Sequence, residues 1–143
     1  MTPQSALNTN SPGGTTLAQI LIIDDDEVFR YVLHSHLTKL SYSVLMAPDG
    51  KVGLDLVNTS KPEAVFLDLN MPEMNGFEVL EALRADERTR SVPVIVNTSA
   101  QLMPPQVEDL RKRGASAVLQ KNENFPETAL QTLQTLLAVK GRQ

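Results

Sequence analysis

Apolar and polar residues alternate along the chain in blocks that predict five β-strands, each followed by an α-helix. The strand-like runs cover residues 17–23, 42–47, 63–68, 92–99 and 116–121, and each is short and strongly apolar. Between the runs, apolar residues recur every three or four positions, as on one face of a helix. Two of the predicted helices begin after Asp26 and after the turn at 48–50. The other three cover residues 76–88, 104–114 and 126–140.

Strands that are apolar throughout, rather than at alternate positions, predict a parallel sheet that helices cover on both faces. The predicted fold class is therefore α/β: a doubly wound, five-stranded parallel sheet in a flavodoxin-like three-layer sandwich. In folds of this type, ligands bind in a crevice outside the carboxyl ends of the strands.

Polar side chains stand at those carboxyl ends. Asp24 and Asp25 follow the first strand, Asp68 ends the third, Thr98 ends the fourth and Lys121 follows the fifth. Because parallel strands end at the same edge of a sheet, we expect these side chains to share one site. Asp26, the third acid of the first run, precedes a helical period and is instead expected to cap that helix.

Three carboxylates in one place repel one another, so a cation is expected to neutralise them. Magnesium suits such a site, because it binds oxygen ligands octahedrally at about 2.0–2.1 Å and keeps several waters. Asp25 and Asp68 are the predicted direct ligands, Asp24 is expected to act through a water, and the main-chain carbonyl of Asn70 is a further predicted ligand.

A carboxylate is also a competent nucleophile for phosphorus, and its product is an aspartyl phosphate. Phosphoryl transfer depends mostly on positioning and on stabilising negative charge. Lys121 is expected to pair with one phosphoryl oxygen, and the Thr98 hydroxyl to hydrogen-bond another.

Composition narrows the classes of function. The chain has 143 residues, and its net charge of −4 argues against nucleic acid as a direct partner. No apolar run approaches the roughly 20 residues that span a membrane. The absence of cysteine suits the cytoplasm. Residues 1–17 are polar and rich in Pro and Gly, which predicts a flexible tail or linker before a domain at 18–140 and a short tail at 141–143.

Four segments carry a resemblance to a known family. "ILIIDDD", "VFLDLNMPEMNG", "PVIVNTSA" and "GASAVLQK" resemble the landmarks of the receiver domain of two-component response regulators, over about residues 18–140. The resemblance implies that Asp24 and Asp25 are the acid pair, Asp68 the phosphoacceptor, Thr98 the switch hydroxyl and Lys121 the phosphoryl-binding lysine.

The resemblance also implies partners and a mode of action. The phosphoryl group would come from a sensor histidine kinase or a histidine phosphotransfer protein, with Mg²⁺ as cofactor. Phosphoryl uptake would be catalysed by the domain itself and followed by slow autodephosphorylation, so the protein would act as a switch rather than as a metabolic enzyme. Its output would be an altered surface for a downstream protein target, and pairing of two copies is a further expectation.

Two positions depart from the family pattern. Asn122 follows Lys121 where proline is usual, and a trans peptide is expected there because a cis bond before a non-proline residue costs about 3 kcal/mol. Val118 occupies the position of the usual aromatic residue in the fifth strand.

Three alternatives remain beside this interpretation. A pseudo-receiver would have the same fold and bind proteins without being phosphorylated, and a phosphate sink would share the chemistry but lack a dedicated effector. A hydrolase similar to the haloacid dehalogenases would need a DxD motif on one strand and a large cap insertion. Residues 68–70 read Asp-Leu-Asn, and no segment is long enough for such a cap.

Overall fold

The structure of the protein, a computed structural model, describes residues 17–141. The predicted N-terminal tail lies almost entirely outside the described residues, and the domain limits at 18 and 140 stay a prediction. The strands are β1 Gln19–Ile23, β2 Ser43–Ala47, β3 Ala64–Asp68, β4 Val94–Thr98 and β5 Ala117–Gln120. The helices are α1 Glu27–Lys39, α2 Gly50–Ser60, α3 Gly76–Ala85, α4 Pro104–Lys112 and α5 Phe125–Gly141.

The five strands form one sheet in the order β2-β1-β3-β4-β5, and every neighbouring pair is parallel. The predicted fold class is therefore confirmed. The connections leave β1 in one direction toward β2 and in the other toward β3, which makes the β1–β3 boundary the topological switch point. A crevice at such a point is the usual ligand site of an open α/β sheet.

The sheet buries both of its faces, which explains why its strands are apolar throughout. Alternate strand residues face two separate cores. One core lies under α1 and α5 and includes Ile20, Ile22, Phe66, Ile95, Leu33, Leu37 and Leu133. The other lies under α2, α3 and α4 and includes Leu21, Ile23, Leu67, Val96, Leu80 and Leu110.

Side chains next to the helix starts fix where the helices begin. Oδ1 of Asp26 accepts hydrogen bonds from the N–H groups of Val28 and Phe29, so the predicted cap of α1 is confirmed. Asn75 and Glu78 form a reciprocal capping box at the start of α3. Both caps lie at the edge of the sheet that carries the predicted site.

Several element bounds differ from the prediction. β1 begins at Gln19 rather than at residue 17, because Leu17 is 55% exposed and does not join the core. α3 ends at Ala85 rather than at 88. The next residue, Asp86, has an extended backbone, and its carboxylate pairs with Arg88 at 2.8 Å. Within residues 17–141, no helix is long and apolar enough to cross a membrane.

Asn97 is a polar residue in the core, and it leads to a prediction about stability. Its side chain is 1% exposed, and neither its Oδ1 nor its Nδ2 has a hydrogen-bond partner within the described part of the chain. A buried amide without a partner costs about 1–3 kcal/mol. We therefore expect Asn97→Leu to raise the free energy of unfolding by about that amount, measured by urea denaturation.

Asn58→Leu is the matched control for Asn97→Leu. The Nδ2 of Asn58 donates to the carbonyl oxygen of Leu54 at 3.1 Å, while its Oδ1 is buried without a partner among the described residues, so the replacement removes one hydrogen bond and one unpaired acceptor together. Little net change is expected there. Destabilisation by Asn97→Leu would contradict the interpretation that the Asn97 amide is unpaired.

Candidate functional site

The ends of β1 and β3 bring three carboxylates together. Asp68 is the last residue of β3, and Asp24 and Asp25 directly follow β1. One carboxylate oxygen from each of the three residues lies within 4.8 Å of the others. Asp24 and Asp68 are only 1% and 4% exposed, whereas Asp25 is exposed. The cluster is thus buried on one side and open to solvent on the other.

Lys121 places a positive charge inside this cluster. Its Nζ lies 2.7 Å from Oδ2 of Asp24 and 3.4 Å from Oδ1 of Asp68, and its side chain is 15% exposed. When all of these groups are ionised, one ammonium faces three carboxylates. The site therefore keeps an excess of negative charge that a divalent cation can balance.

Burial and mutual repulsion oppose ionisation of the acids. Burial raises the pKa of Asp68, and the neighbouring charge of Asp24 raises it further, to about 7 despite the opposing effect of Lys121. Burial also raises the pKa of Asp24, and this effect exceeds the opposing effect of the Lys121 contact. The cluster therefore holds a proton readily near neutral pH in the absence of a cation.

The hydroxyl of Thr98 lies at the same edge of the sheet and is hydrogen-bonded to the loop after β3. Its Oγ1 accepts hydrogen bonds from the N–H of Ala100 at 3.0 Å and from Nδ2 of Asn70 at 3.3 Å. No local sequence pattern indicates the hydrogen bond between Asn70 and Thr98. The structure thus brings Asn70 to the site through its side chain, and metal binding by its carbonyl stays a prediction.

The loop between β3 and α3 folds back against Asp68. The N–H of Gly76 donates to the carbonyl oxygen of Leu69 at 2.9 Å. A Cβ atom at position 76 would overlap the backbone of Asp68 and Leu69, so only glycine allows α3 to start this close to the strand. The close approach fixes the backbone on both sides of the Asp68 carboxylate.

Sequence reasoning missed two contacts made by the first turn of α1. Nη1 of Arg30 donates to the carbonyl oxygen of Asp24 at 2.6 Å. The ring of Phe29 lies under the ammonium of Lys121, with 4.2 Å between Nζ and the ring centroid. No local sequence pattern indicates that a lysine directly after the far edge strand contacts the ring of Phe29.

The two departures from the expected pattern are both near Thr98 and Lys121. The described residues contain no cis peptide, so the bond between Lys121 and Asn122 is trans, as predicted. Val118 is half-buried and lines a cavity of about 130 Å³ together with Thr98 of β4, Leu102 of the loop that follows and Val107 of α4. Position 118, where an aromatic side chain is usual, thus borders this cavity next to Thr98.

Comparison with known families decides what kind of domain this is. The family model of the response regulator receiver domain matches residues 20–133. The chain belongs to this family. Receiver domains are signalling switches of two-component systems, and the resemblance stated from the four segments is confirmed.

Individual relatives agree with this assignment. Protein PilH of Pseudomonas aeruginosa is 35% identical over 122 residues, which are 85% of this receiver domain chain and 99% of PilH. Response regulator MprA of Mycolicibacterium vanbaalenii is 37% identical over 92 residues, but these are 64% of this chain and only 39% of MprA. The chemotaxis protein CheY4 of Vibrio cholerae has a solved structure that is 32% identical, with a TM-score of 0.77 over 84% of this chain and 98% of CheY4.

Proposed function

We propose that this receiver domain accepts a phosphoryl group on Asp68 from a phosphohistidine of a sensor histidine kinase or a histidine phosphotransfer protein. The observation that carries the proposal is the cluster of Asp24, Asp25 and Asp68 around the ammonium of Lys121, at the switch-point edge of a receiver fold. Small phosphodonors such as acetyl phosphate would supply the same group to the same carboxylate.

The acid cluster fits a magnesium ion. All of its ligand atoms are hard oxygen donors, and one side of the cluster is open to solvent, so bound waters can complete the octahedron. Asp25 and Asp68 would bind the ion directly, Asp24 would bind it through a water, and the Asn70 carbonyl would add one oxygen. When bound, the ion supplies positive charge against the oxygens of the transferred group.

Asp68 is the nucleophile of the transfer step. One of its carboxylate oxygens attacks phosphorus and forms the new O–P bond, while the P–N bond to the donor histidine breaks. The electron pair of the broken bond stays on the imidazole nitrogen. Lys121 is placed to pair with a phosphoryl oxygen, since its ammonium already lies 3.4 Å from Asp68. Water later attacks the aspartyl phosphate slowly and releases phosphate.

The switch proposed for this domain is the hydroxyl of Thr98. Its present hydrogen bonds to Ala100 and Asn70 are neutral, whereas a bond to a phosphoryl oxygen is charge-assisted and stronger. Moving to the phosphoryl group would release Ala100 in the loop that leads to α4. The cavity beside Val118 gives this loop and β5 room to rearrange. The altered surface would then bind a downstream protein in the cytoplasm.

A magnetic resonance titration tests the proposal. Magnesium is added first and beryllofluoride, a phosphoryl mimic, second, while amide shifts are followed. We expect magnesium to shift amides near Asp25 and Asp68, and beryllofluoride to extend the shifts to Thr98 and Lys121. A folded sample that responds to neither ligand would contradict the proposal and indicate a pseudo-receiver.

Lys121→Ala separates the two binding steps in the same titration. Removing the ammonium leaves the carboxylates in place and removes a competing positive charge, so magnesium should bind at least as tightly as in the wild type. Beryllofluoride should bind about 10-fold or more weakly, because a charge-assisted contact is lost. Unchanged beryllofluoride affinity would remove Lys121 from the mechanism.

A further inference from the structure

The ammonium of Lys121 is held on three sides, and one of these is an aromatic ring. Two sides are the carboxylates of Asp24 and Asp68, at 2.7 and 3.4 Å from Nζ. The third is the face of Phe29 on α1, whose centroid lies 4.2 Å from Nζ. The negative face of an aromatic ring attracts a cation at this distance, and the attraction is stronger at a site shielded from water.

The ring of Phe29 is itself fixed by its neighbours. It packs against the buried ring of Phe125 with 5.1 Å between centroids, and Phe125 in turn meets Phe66 of β3 edge-on at 6.5 Å. The main-chain N–H of Phe29 donates to Asp26, and the N–H of Asp26 donates to Oδ1 of Asp24 at 2.9 Å. The Asp24 carboxylate and the Phe29 ring, which both contact the ammonium, are thus linked to each other through Asp26.

We propose that Phe29 is a positioning residue that holds the Lys121 ammonium at the phosphoryl-binding side of the acid cluster. The inference rests on the role proposed above for Lys121. A lysine side chain is a flexible stem with a point charge at its end, so its placement needs support. Residues 122–124, which follow it, are all exposed and offer little packing.

A ring suits this task better than a further carboxylate would. It attracts the ammonium through its quadrupole and carries no net negative charge. It therefore adds no repulsion to an incoming phosphoryl group. It occupies the side of the ammonium toward α1, while the carboxylates of Asp24 and Asp68 lie at 2.7 and 3.4 Å from Nζ.

Replacing Phe29 by pentafluorophenylalanine at that single position tests the inference, because fluorination reverses the ring quadrupole with little change in shape. The rate of phosphorylation by acetyl phosphate with saturating Mg²⁺ should fall about 3- to 10-fold. Phe29→Leu should show the same loss. Phe29→Tyr should keep the wild-type rate, since it keeps an aromatic face, and Phe29 borders a surface groove of about 300 Å³.

Magnesium affinity distinguishes positioning from a general distortion of the site. It should stay at the wild-type value in all three variants, because the carboxylates do not change. The matched control is pentafluorophenylalanine at Phe77, whose ring lies 5.4 Å from the guanidinium of Arg113 and packs against the core on the other face of the sheet from Phe29. Phosphorylation of that control should proceed at the wild-type rate.

The possible outcomes separate this inference from the proposed function. A wild-type rate with the fluorinated ring at position 29 overturns the positioning role of Phe29 while phosphorylation of Asp68 stands. A fall in rate accompanied by an equal fall in magnesium affinity also overturns it, since the ring would then support the acid cluster rather than Lys121. A wild-type protein that takes up no phosphoryl group overturns both proposals.

Discussion

Replacing Asp68 with asparagine is expected to abolish phosphoryl uptake and to leave the fold intact. An amide oxygen is a poor nucleophile for phosphorus, so the rate should fall by at least about 1000-fold, as on removing other enzymic nucleophiles. Asparagine has almost the same shape as aspartate, and the surrounding backbone is fixed by Gly76 and the β3 ladder. Intact-protein mass spectrometry after incubation with acetyl phosphate and Mg²⁺ measures the added phosphoryl group.

The matched control for this variant is Asp109→Asn. Asp109 is an exposed carboxylate on α4 that pairs with Arg113 at 2.9 Å, outside the acid cluster. Its replacement should leave uptake unchanged. If Asp68→Asn still gained the phosphoryl mass, the acceptor would be another carboxylate, with Asp24 and Asp25 the first to examine.

Much of the fold and the location of the site follow from the sequence, because both depend on strand order and strand ends. Wholly apolar strands predict a doubly covered parallel sheet. Once the strands are placed, Asp24, Asp68, Thr98 and Lys121 must all lie at its carboxyl edge. Topology alone therefore brings together residues from β1, β3, β4 and β5 that are distant in the chain.

The contacts within the site depend on side-chain geometry that no local pattern records. The hydrogen bond from Asn70 to Thr98 joins residues that are 28 positions apart, and the contact of Lys121 with Phe29 joins the loop after the last strand to the first helix. The helical period was similarly incomplete for α1. Val28 is one of the apolar residues at helical spacing in α1, but its side chain is 70% exposed, because the spacing of apolar residues does not show how far the buried face extends.

The acid cluster should also make the stability of the metal-free protein fall as the pH rises. The pKa of Asp68 is about 7 in the folded protein and 3.8 in an unperturbed chain. Between these values the folded state binds more protons than the unfolded state, so each rise in pH favours unfolding. Asp24 adds to the effect with the same sign, because burial raises its pKa as well.

The expected loss is about 2–4 kcal/mol of unfolding free energy between about pH 4 and pH 8. Urea denaturation in the presence of a chelator measures it. Saturating Mg²⁺ should remove most of the loss, because the cation binds the ionised carboxylates of the folded state. Asp109→Asn, which changes an exposed carboxylate, should keep the pH dependence of the wild type.

Asp68→Asn provides the decisive comparison for the origin of this pH dependence. Without an ionisable group at position 68, the variant should be more stable than the wild type at about pH 8 and should lose most of the slope. A metal-free wild type whose stability rises with pH through this window would mean that pairing with Lys121 outweighs burial of the carboxylates. If stability falls as expected, the arrangement that supplies the nucleophile costs the metal-free protein stability, and the bound cation offsets that cost.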